Sequence, residues 1–335
     1  MTYTNFHCVR SICYCVGVAV TVCSLYGEEE EEERTATEWV QAMNKAQAEL
    51  SFEGELYFWN GIDINRIEYS QHFVDGEVQV KAKLIRGPKR EITRTDKALS
   101  INFSPDDDLR EVGTKLTGNS LSRLFPPDVA TFSESYNIAK LPNQEIADRT
   151  AVGVSIMPKQ KDRHGFNVWI DEESALLLRM EMCDCDTGRK IKVLVFTELT
   201  VLEGSLAKSA DTEESDESDL SVNIVNEDES EASRADADWE PGVIPDGFKL
   251  SGTKTQNGVL LDRTYSDGMN AFTIQIRPAP RANNADIQLQ MMIGPTVIVQ
   301  KSAADAHGRP QIVTVVGDLP RRTIWKIADG VKFER

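Results

Sequence analysis

The segment FEGELYFWNGIDINRIEYSQHFVDGEVQVKAKLIR, residues 52–86, determines the fold class of the first half of the chain. It holds three runs rich in aromatic and β-branched residues, separated by the turn-forming pairs Asn60-Gly61 and Asp75-Gly76. In the third run, aliphatic residues alternate with polar ones that include Lys81 and Lys83, which predicts one buried and one solvated strand face. Asx-Gly pairs between such runs favour β-hairpins. The segment therefore predicts consecutive antiparallel strands.

The same pattern continues to residue 202, with further strand-like runs at AVGVSIMPK, GFNVWID, LLLRMEM and IKVLVFTEL. A helix precedes the strands, because Trp39, Met43, Ala46 and Leu50 recur at helical spacing, with Thr37 as the expected N-cap. Strands of this density predict one large antiparallel sheet, curled or partly closed, with a helix packed on it. We assign residues 28–202 to this N-terminal domain.

The last 95 residues, 241–335, mix strands with a final helix. A hairpin is expected around Asp267-Gly268, and PTVIVQK and PQIVTVVGD read as two more strands. Leu319, Ile324, Ile327 and Val331 then recur at helical spacing. The fold class of the whole chain is thus α+β, with a large N-terminal domain and a smaller C-terminal α+β domain.

An acidic segment, residues 203–240, separates the two domains. It contains fourteen Asp or Glu residues against only Lys208 and Arg234. Such a composition cannot bury enough apolar surface to offset the entropy of ordering it, so we predict a disordered linker. The linker carries −12 and the run Glu28–Glu33 carries −6, so the rest of the chain contributes +1 to the formal net charge of −17; residues 241–335 carry a net +4. A tether is the expected role of the linker, and competition for basic surfaces is the alternative.

Residues 1–27 contain one basic residue, Arg10, followed by an apolar run too short to span a bilayer, which typically needs about 20 residues. This pattern is typical of a cleaved signal peptide and predicts export to the periplasm. An uncleaved anchor, or lipidation at Cys23, is the alternative.

No catalytic motif is present: the sequence has no GxSxG, P-loop, GxGxxG after a strand, or HExxH. The pair Cys183 and Cys185 can form a strained disulfide or remain as free thiols, and metal binding would need two further ligands. We therefore expect a binding protein and not an enzyme, with no cofactor, no metal and no nucleic-acid partner.

Six segments follow one another along the chain in a recognisable order: LIRGPKREITR (84–94), IADRTAVGVSIMPKQKDRHGFNVWIDEESALLLRMEM (146–182), WEPGVIPDGF (239–248), TYSDGMNAFTIQI (264–276), GPTVIVQK (294–301) and QIVTVVGDLP (311–320). Together they resemble the MucB/RseB family of sigma-E regulatory proteins. The resemblance implies a LolA-like unclosed β-barrel with helices, followed by a smaller domain. It also implies binding to the periplasmic segment of a RseA/MucA-like anti-sigma factor, protection of that segment from proteolysis, and relief by lipopolysaccharide or lipid.

Within that resemblance, two sets of residues are candidates for the two ligands. Aromatic residues of a concave face would contact acyl chains and basic residues would meet phosphates: Phe52, Tyr57, Trp59, Phe73, Lys81, Lys83, Arg86, Lys89 and Arg90. The anti-sigma partner would bind the C-terminal hairpin and helix: Tyr265, Met269, Phe272, Arg321, Arg322 and Trp325. Ordinary core packing and solvated faces are the alternative roles. A periplasmic lipid or lipoprotein carrier is the alternative function, and homo-oligomerisation is left open.

Overall fold

The computed structural model describes residues 33–74, 77–85, 90–94, 99–103, 129–202, 239–256, 259–279 and 287–333. The predicted signal peptide and residues 203–238 of the predicted linker lie outside these described ranges. No helix in the described part of the chain is both long enough and apolar enough to span a membrane.

The N-terminal domain is built on one ten-stranded sheet in which every strand pairs antiparallel with its neighbours. In chain order the strands are β1 Phe52–Trp59, β2 Ile64–Val74, β3 Glu77–Leu84, β4 Arg90–Arg94, β5 Leu99–Phe103, β6 Tyr136–Ile146, β7 Arg149–Pro158, β8 Gly165–Asp171, β9 Leu177–Cys183 and β10 Lys190–Val201. Their spatial order is β5-β4-β3-β2-β1-β10-β9-β8-β7-β6. Because β5 and β6 stand at opposite ends unpaired, the predicted unclosed antiparallel sheet is confirmed among the described residues.

Strand alternation separates a core face from a solvated face, as the sequence predicts. Val80 is buried and Ala82 packs against the core, whereas Lys81 and Lys83 between them are exposed. The core side of β1, β2 and β10 is an aromatic cluster in which the rings of Phe52 and Tyr69 stack at 5.7 Å, with Phe196 edge-on to both. Aromatic contacts of this geometry add to the stabilisation that burial provides.

Two helices accompany this sheet: α1 Ala36–Glu49 and α2 Val129–Ser135. The predicted N-cap Thr37 is wrong, because Thr35 caps α1 through a capping box with Glu38. The Thr35 hydroxyl accepts the Glu38 amide, and the Glu38 carboxylate accepts the Thr35 amide at 2.7 Å, so two amides at the helix end are satisfied. The predicted buried face, which includes Trp39 and Met43, is confirmed.

The C-terminal domain begins at Trp239, within the range predicted as linker, because that residue opens a strand. Its strands are β11 Trp239–Pro241, β12 Lys249–Gln256, β13 Val259–Ser266, β14 Ala271–Pro278, β15 Gln288–Ile293, β16 Thr296–Ala304, β17 Pro310–Gly317 and β18 Val331–Phe333. Six of them form a sheet in the order β12-β13-β14-β17-β16-β15, and β11 pairs with β18. Helix α3, Arg321–Gly330, buries Ile324 and Ile327 in the core of this domain. Val331, predicted within the helix, starts β18 instead.

Docking of α1 on the sheet should contribute measurably to the stability of the N-terminal domain. Met43 is 1% exposed within the core cluster. Truncation of such a side chain typically costs about 2–5 kcal/mol, since it removes buried contacts and leaves a cavity. We expect Met43→Ala to lower the free energy of unfolding by that amount in chemical denaturation. Lys45→Ala, on the exposed face of the same helix, is the control and should change stability little; equal losses would contradict this placement of α1.

Candidate functional site: the domain junction

The turn between β13 and β14 inserts a buried carboxylate into the N-terminal domain. The Asp267 carboxylate accepts a hydrogen bond from the Tyr136 hydroxyl at 2.6 Å and pairs with the Arg163 guanidinium at 2.8 Å. The side chains of Arg163 and Asp267 are each 3% exposed. A buried ion pair is tolerated only when its remaining hydrogen-bonding groups are satisfied, and here they are shared between two domains.

The remaining groups of Arg163 are also occupied. Its Nε pairs with Asp162 at 2.8 Å, and its Nη2 donates to the carbonyl of Asp246, which lies in the entry segment of the C-terminal domain. The guanidinium also lies 4.7 Å from the ring centroid of Phe248, a cation–π contact. A single side chain of the N-terminal domain thus binds two separate segments of the C-terminal domain.

The hairpin turn that presents Asp267 is itself held rigid. The second Asp267 carboxylate oxygen accepts the backbone amides of Met269 and Asn270 at 2.9 and 2.7 Å. Gly268 has a φ of +93°, a conformation that favours glycine. The Asn270 side chain donates to the Tyr136 hydroxyl at 2.9 Å and to the His164 carbonyl at 3.2 Å. The predicted hairpin around Asp267-Gly268 is confirmed, and its tip lies at the domain junction.

Burial and charge alter the proton affinities within this network. Burial, together with the negative charge of Asp267, raises the pKa of Tyr136 well above its usual range, so the phenol remains a donor. Burial acts to lower the pKa of Arg163, but its hydrogen bond to Asp162 and the charge of Asp267 outweigh that effect and raise it. Both groups keep the proton that the network needs.

Two further ion pairs cross the junction on one side of this network. Lys192 of β10 pairs at 2.6 Å with Asp318, whose other oxygen accepts from the Thr296 hydroxyl at 2.5 Å. Arg322 of α3 donates to both carboxylate oxygens of Asp186, at 2.8 and 2.9 Å. The pair involving Arg322 is exposed and so contributes little to stability, whereas Asp318 is more sheltered.

A cleft of about 290 Å³ adjoins the pair of Arg322 and Asp186 and has walls from both domains. Its lining includes His164 and Asp186 from the N-terminal domain and Met292, Arg321 and Arg322 from the C-terminal domain. Close approach of the domains at one end is set by Gly61 and Gly294, because a Cβ on Gly61 would lie 2.9 Å from the Gly294 Cα. The cleft can accommodate a short polar or apolar group of a ligand that contacts both domains.

The predicted lipid-binding residues divide between the two faces of the sheet. Phe52 is fully buried in the core, whereas Tyr57 and Trp59 lie at odd positions of β1 and so on the opposite face. The expectation of one concave face shared by these aromatics is therefore corrected. Lys81 and Lys83 lie on that same outer face, where Lys83 pairs with Glu68 at 3.0 Å. Arg86 and Lys89 lie outside the described residues, as do the side chains of Phe73 and Arg90.

The predicted partner-binding residues also lie in different surroundings. Tyr265 and Phe272 are buried and stack at 5.3 Å within the C-terminal core, and Met269 packs against the N-terminal core. Arg322 is at the junction, as described above. Trp325 donates its indole N–H to Gln290 at 2.7 Å, and Arg321 is exposed beside the cleft. Of the six predicted residues, Arg321 and Arg322 are exposed, and Trp325 is half-buried against the C-terminal core.

Sequence reasoning did not identify Tyr136, Arg163, Asp267 and Lys192 as a group. They come from β6, the β7–β8 loop, the β13–β14 turn and β10, and no spacing along the chain connects them. A local signal exists only for Asp267, whose Asp-Gly pair indicates a turn. Its long-range partners depend on how the domains pack.

The pair Cys183 and Cys185 lies at the end of β9 and in the turn that follows, as the turn residues Asp186-Thr187-Gly188 predict. Both thiols are free. Burial raises the pKa of each thiol, for Cys185 to about 11, so neither is activated as a thiolate. In the described part of the chain, no group of three or more His, Cys, Asp or Glu residues is placed to hold a metal ion.

Loss of the Asp267 carboxylate should destabilise the junction. Removal of one partner of a buried ion pair typically costs about 3–5 kcal/mol, because the other charge stays buried. We expect Asp267→Ala to lower the free energy of unfolding by about 3 kcal/mol, at the lower end of this range, because the Arg163 guanidinium still pairs with Asp162. Asp329→Ala, which breaks the exposed pair with Lys301, is the control and should cost less than about 1 kcal/mol. Equal effects in chemical denaturation would contradict the assigned role of Asp267.

Stability of the junction should also depend on pH through His164. Burial lowers the pKa of His164 and outweighs the opposing charges of Asp184, Asp318 and Asp186, while Lys192 lowers it further. The unfolded chain therefore binds a proton more readily, so stability is fully present above the unfolded pKa of about 6.5 and is lost as pH falls below it.

We expect the melting temperature to fall between pH 7.5 and 5.5, and His164→Asn to reduce that dependence. The pKa values of Asp184 and Asp318 are lowered despite burial. These two carboxylates also reduce stability as pH falls, but only near and below about pH 4. His307→Asn, at an exposed turn, is the control. A dependence that is unchanged in His164→Asn and reduced in His307→Asn would contradict the assignment.

Solved structures that are similar in fold include three that contain MucB, of which two are compared below. A complex of Pseudomonas aeruginosa MucA/MucB superposes with a TM-score of 0.69 at 22% identity, covering 90% of this chain and 99% of that one. A crystal structure of MucB gives a TM-score of 0.58 at 20% identity, covering 89% and 98%. At this level of identity the comparison establishes the fold.

Curated relatives extend over nearly the whole chain. The sigma-E factor regulatory protein RseB of Escherichia coli is 24% identical over 302 residues, which cover 88% of this chain and 89% of RseB. The sigma factor AlgU regulatory protein MucB of Pseudomonas aeruginosa is 24% identical over 309 residues, covering 89% and 91%. Family models match at residues 35–220, for the MucB/RseB N-terminal domain, and at residues 233–332, for the MucB/RseB C-terminal domain. This chain belongs to the MucB/RseB family.

Proposed function

We propose that this chain is a periplasmic negative regulator of sigma-E-type envelope-stress signalling. It binds the periplasmic part of a RseA/MucA-like anti-sigma factor and protects it from proteolysis, and lipopolysaccharide or lipid relieves that protection. Support comes from family membership, from relatives named as sigma-factor regulatory proteins, and from a solved complex of MucB with MucA(peri).

The observation that carries the proposal is the buried junction at Asp267. A regulator of this kind needs a site for lipid and a site for protein whose occupancies influence each other. Arg163 of the N-terminal domain binds the Asp267 carboxylate and the Asp246 carbonyl of the C-terminal domain. A shift of either domain therefore changes these contacts and so affects the position of the other domain. A simple lipid carrier would need only the curled sheet and no second domain.

The mechanism is thermodynamic linkage between two ligands. Lipid shifts the protein towards a partner-free state only if it binds that state more tightly than the partner-bound state. The core face of the sheet is already filled by residues such as Phe52 and Leu56, which are 0% and 2% exposed, and α1 covers it. Acyl chains that enter this face must therefore displace α1 or repack the core. The partner-free, lipid-bound state would then differ in structure from the partner-bound state.

The lipid head group has a separate candidate surface on the outer face of β1–β3. Tyr57 and Trp59 lie on this face together with the ammonium groups of Lys81 and Lys83. Ammonium groups bind phosphate oxygens through charge-assisted hydrogen bonds. Tyrosine and tryptophan are common where an apolar region meets water, because each has an apolar ring and one polar group. A phosphate at Lys83 would compete with Glu68 for the same ammonium group.

The partner has a candidate surface around the cleft at the junction. Arg321 and Trp325 lie on α3, within a C-terminal domain whose residues 241–335 carry a net +4. Such a surface suits an acidic segment. In the same proposal, residues 1–27 direct export and are cleaved, residues 28–202 sense lipid, residues 203–238 tether, and the domain that begins at Trp239 binds the partner.

Binding of the anti-sigma segment should weaken in the presence of lipid. We expect the full-length chain to bind the purified periplasmic segment of its cognate anti-sigma factor in titration calorimetry, and saturating lipopolysaccharide to weaken that binding about tenfold, or 1.4 kcal/mol. The chain should also slow cleavage of the segment by the site-one protease. No binding at about 100 μM protein would contradict the proposal; unchanged affinity with lipid would remove the lipid switch alone.

The outer-face lysines should matter for lipid more than for the partner. We expect Lys81→Glu/Lys83→Glu to reduce the weakening caused by lipopolysaccharide while the affinity for the segment without lipid stays within about twofold. Lys45→Glu, on the exposed face of α1, is the matched charge control. Equal losses of lipid response in both variants would contradict a head-group role for the outer face of β3.

A further inference from the structure

The edge strand β15 lacks the features that usually protect a free sheet edge. Its sequence, QLQMMI, contains no charge and no proline, and it pairs with β16 in continuous register. Among the described residues no strand pairs with its outer side, since β15 ends the six-stranded sheet. Unprotected edges present unpaired N–H and C=O groups that accept another strand.

Two other free edges of the molecule are protected in the expected ways. The opposite edge of the same sheet, β12, carries Lys249 and Lys254 and has two register shifts against β13. The β6 edge of the N-terminal sheet contains Lys140 and Pro142 and also has a register shift. The side chains of β5, the other edge strand of the N-terminal sheet, lie outside the described residues. Compared with β12 and β6, β15 is an unprotected edge, and another strand could pair with it.

The exposed apolar residues are concentrated on the same strand. Four of the eight large hydrophobic residues that are exposed in the described part of the chain belong to β15: Leu289 at 45%, Met291 at 46%, Met292 at 59% and Ile293 at 49%. Strand alternation puts Leu289, Met291 and Ile293 on one face of β15 and Met292 on the other. Exposed apolar side chains that share one strand face indicate an interaction site.

The hairpin geometry determines which backbone groups of β15 are available. The turn Gly294-Pro295 joins Ile293 to its partner Thr296, and the Ser302 amide donates to the Ile287 carbonyl at 2.9 Å. Hydrogen-bonded and non-bonded pairs alternate along an antiparallel ladder, so odd-numbered residues of β15 bond to β16. The amides and carbonyls of Gln288, Gln290 and Met292 therefore point to the free side.

A groove beside this edge adds chemical selectivity. Trp325 of α3 reaches Gln290 at 2.7 Å, and Met292 and Arg321 line the cleft at the junction. Arg321 has no ion-pair partner among the described residues. At the far end, the turn after Ile293 meets the β1–β2 turn, which carries the exposed Ile62. An extended chain on β15 would thus contact apolar side chains, one free cation and both domains.

We propose that β15 binds an extended segment of the partner polypeptide as a seventh strand of the C-terminal sheet. The segment has apolar side chains at alternating positions and a carboxylate that reaches Arg321. This inference rests on the proposed function and assigns its partner site. A second copy of the chain is disfavoured as the occupant, because it would present a domain of the same net charge, +4 over residues 241–335.

Hydrogen exchange of the full-length chain tests the backbone pairing directly. The probe is the periplasmic segment of the cognate anti-sigma factor, added until binding is saturated. We expect the amides of Gln288, Gln290 and Met292 to become protected, while those of Leu289, Met291 and Ile293, already bonded to β16, change little. Unchanged exchange at all six amides in a complex that has formed would overturn the inference and leave the proposed function intact.

Side-chain variants with a matched control separate edge binding from loss of fold. We expect Leu289→Lys/Met291→Lys to weaken binding of the segment at least about tenfold, as a charge on an edge strand opposes pairing. Leu250→Lys, 53% exposed on the protected edge β12, should stay within about twofold. All three forms should have similar melting temperatures. Equal affinities of the two variants would overturn the inference, whereas no binding by the unmodified chain would instead remove the proposed function.

The identity of the occupant is tested in the free chain. We expect the amides of Gln288, Gln290 and Met292 to exchange rapidly without the probe, at any protein concentration, and equally in a chain lacking residues 211–231. Protection that disappears on this deletion would assign the edge to the chain's own acidic segment. Protection that appears only at high protein concentration would assign it to a second copy. Either result would overturn the assignment to a partner.

Discussion

The buried pair between Arg163 and Asp267 is the constraint on which the arrangement of the two domains depends. Each side chain is 3% exposed, so neither charge can return to water unless the domains separate. Tyr136, Asp162 and the Asp246 carbonyl satisfy the remaining hydrogen-bonding capacity, and this makes the burial of both charges tolerable. Because groups from both domains are required, the network is complete only when the domains are docked. Docking therefore has one geometry in which both buried charges are satisfied.

This arrangement explains how two chemically different surfaces can act on each other. The aromatic core beneath α1 and the free edge of β15 lie in different domains, yet the same junction adjoins both. Lys192, from β10 of the lipid-candidate sheet, reaches Asp318 immediately before α3. The Gly61 turn of the same sheet touches the Gly294 turn that ends β15. A change in the curvature of the N-terminal sheet would therefore move the groups that frame the proposed partner site, with no need for direct contact between the ligands.

The sequence predicted those features that depend on local patterns. Alternation at Lys81 and Lys83 and the buried face of α1 follow from periods of two and 3.6 residues, and the hairpin follows from the turn-forming pair Asp267-Gly268. The N-cap was misplaced by two residues, because the capping-box spacing of Thr35 and Glu38, which Thr37 lacks, was not used. The same alternation along β1 also predicts that Phe52 lies on one face of the sheet and that Tyr57 and Trp59 lie on the other. The junction could not be predicted, since Tyr136, Arg163 and Asp267 are brought together only by tertiary packing. The bare edge of β15 likewise becomes apparent only when the strand order is known.

The central claim is that lipid and the anti-sigma segment bind linked states of one molecule. Linkage is reciprocal: any factor by which lipid weakens binding of the segment must equal the factor by which the segment weakens binding of lipid. The most direct measurement is the dissociation constant of lipopolysaccharide for the full-length chain, determined with and without a saturating amount of the segment. We predict that the segment weakens lipid binding by the same factor by which lipid weakens binding of the segment. A lipid dissociation constant that is the same in both conditions would contradict it.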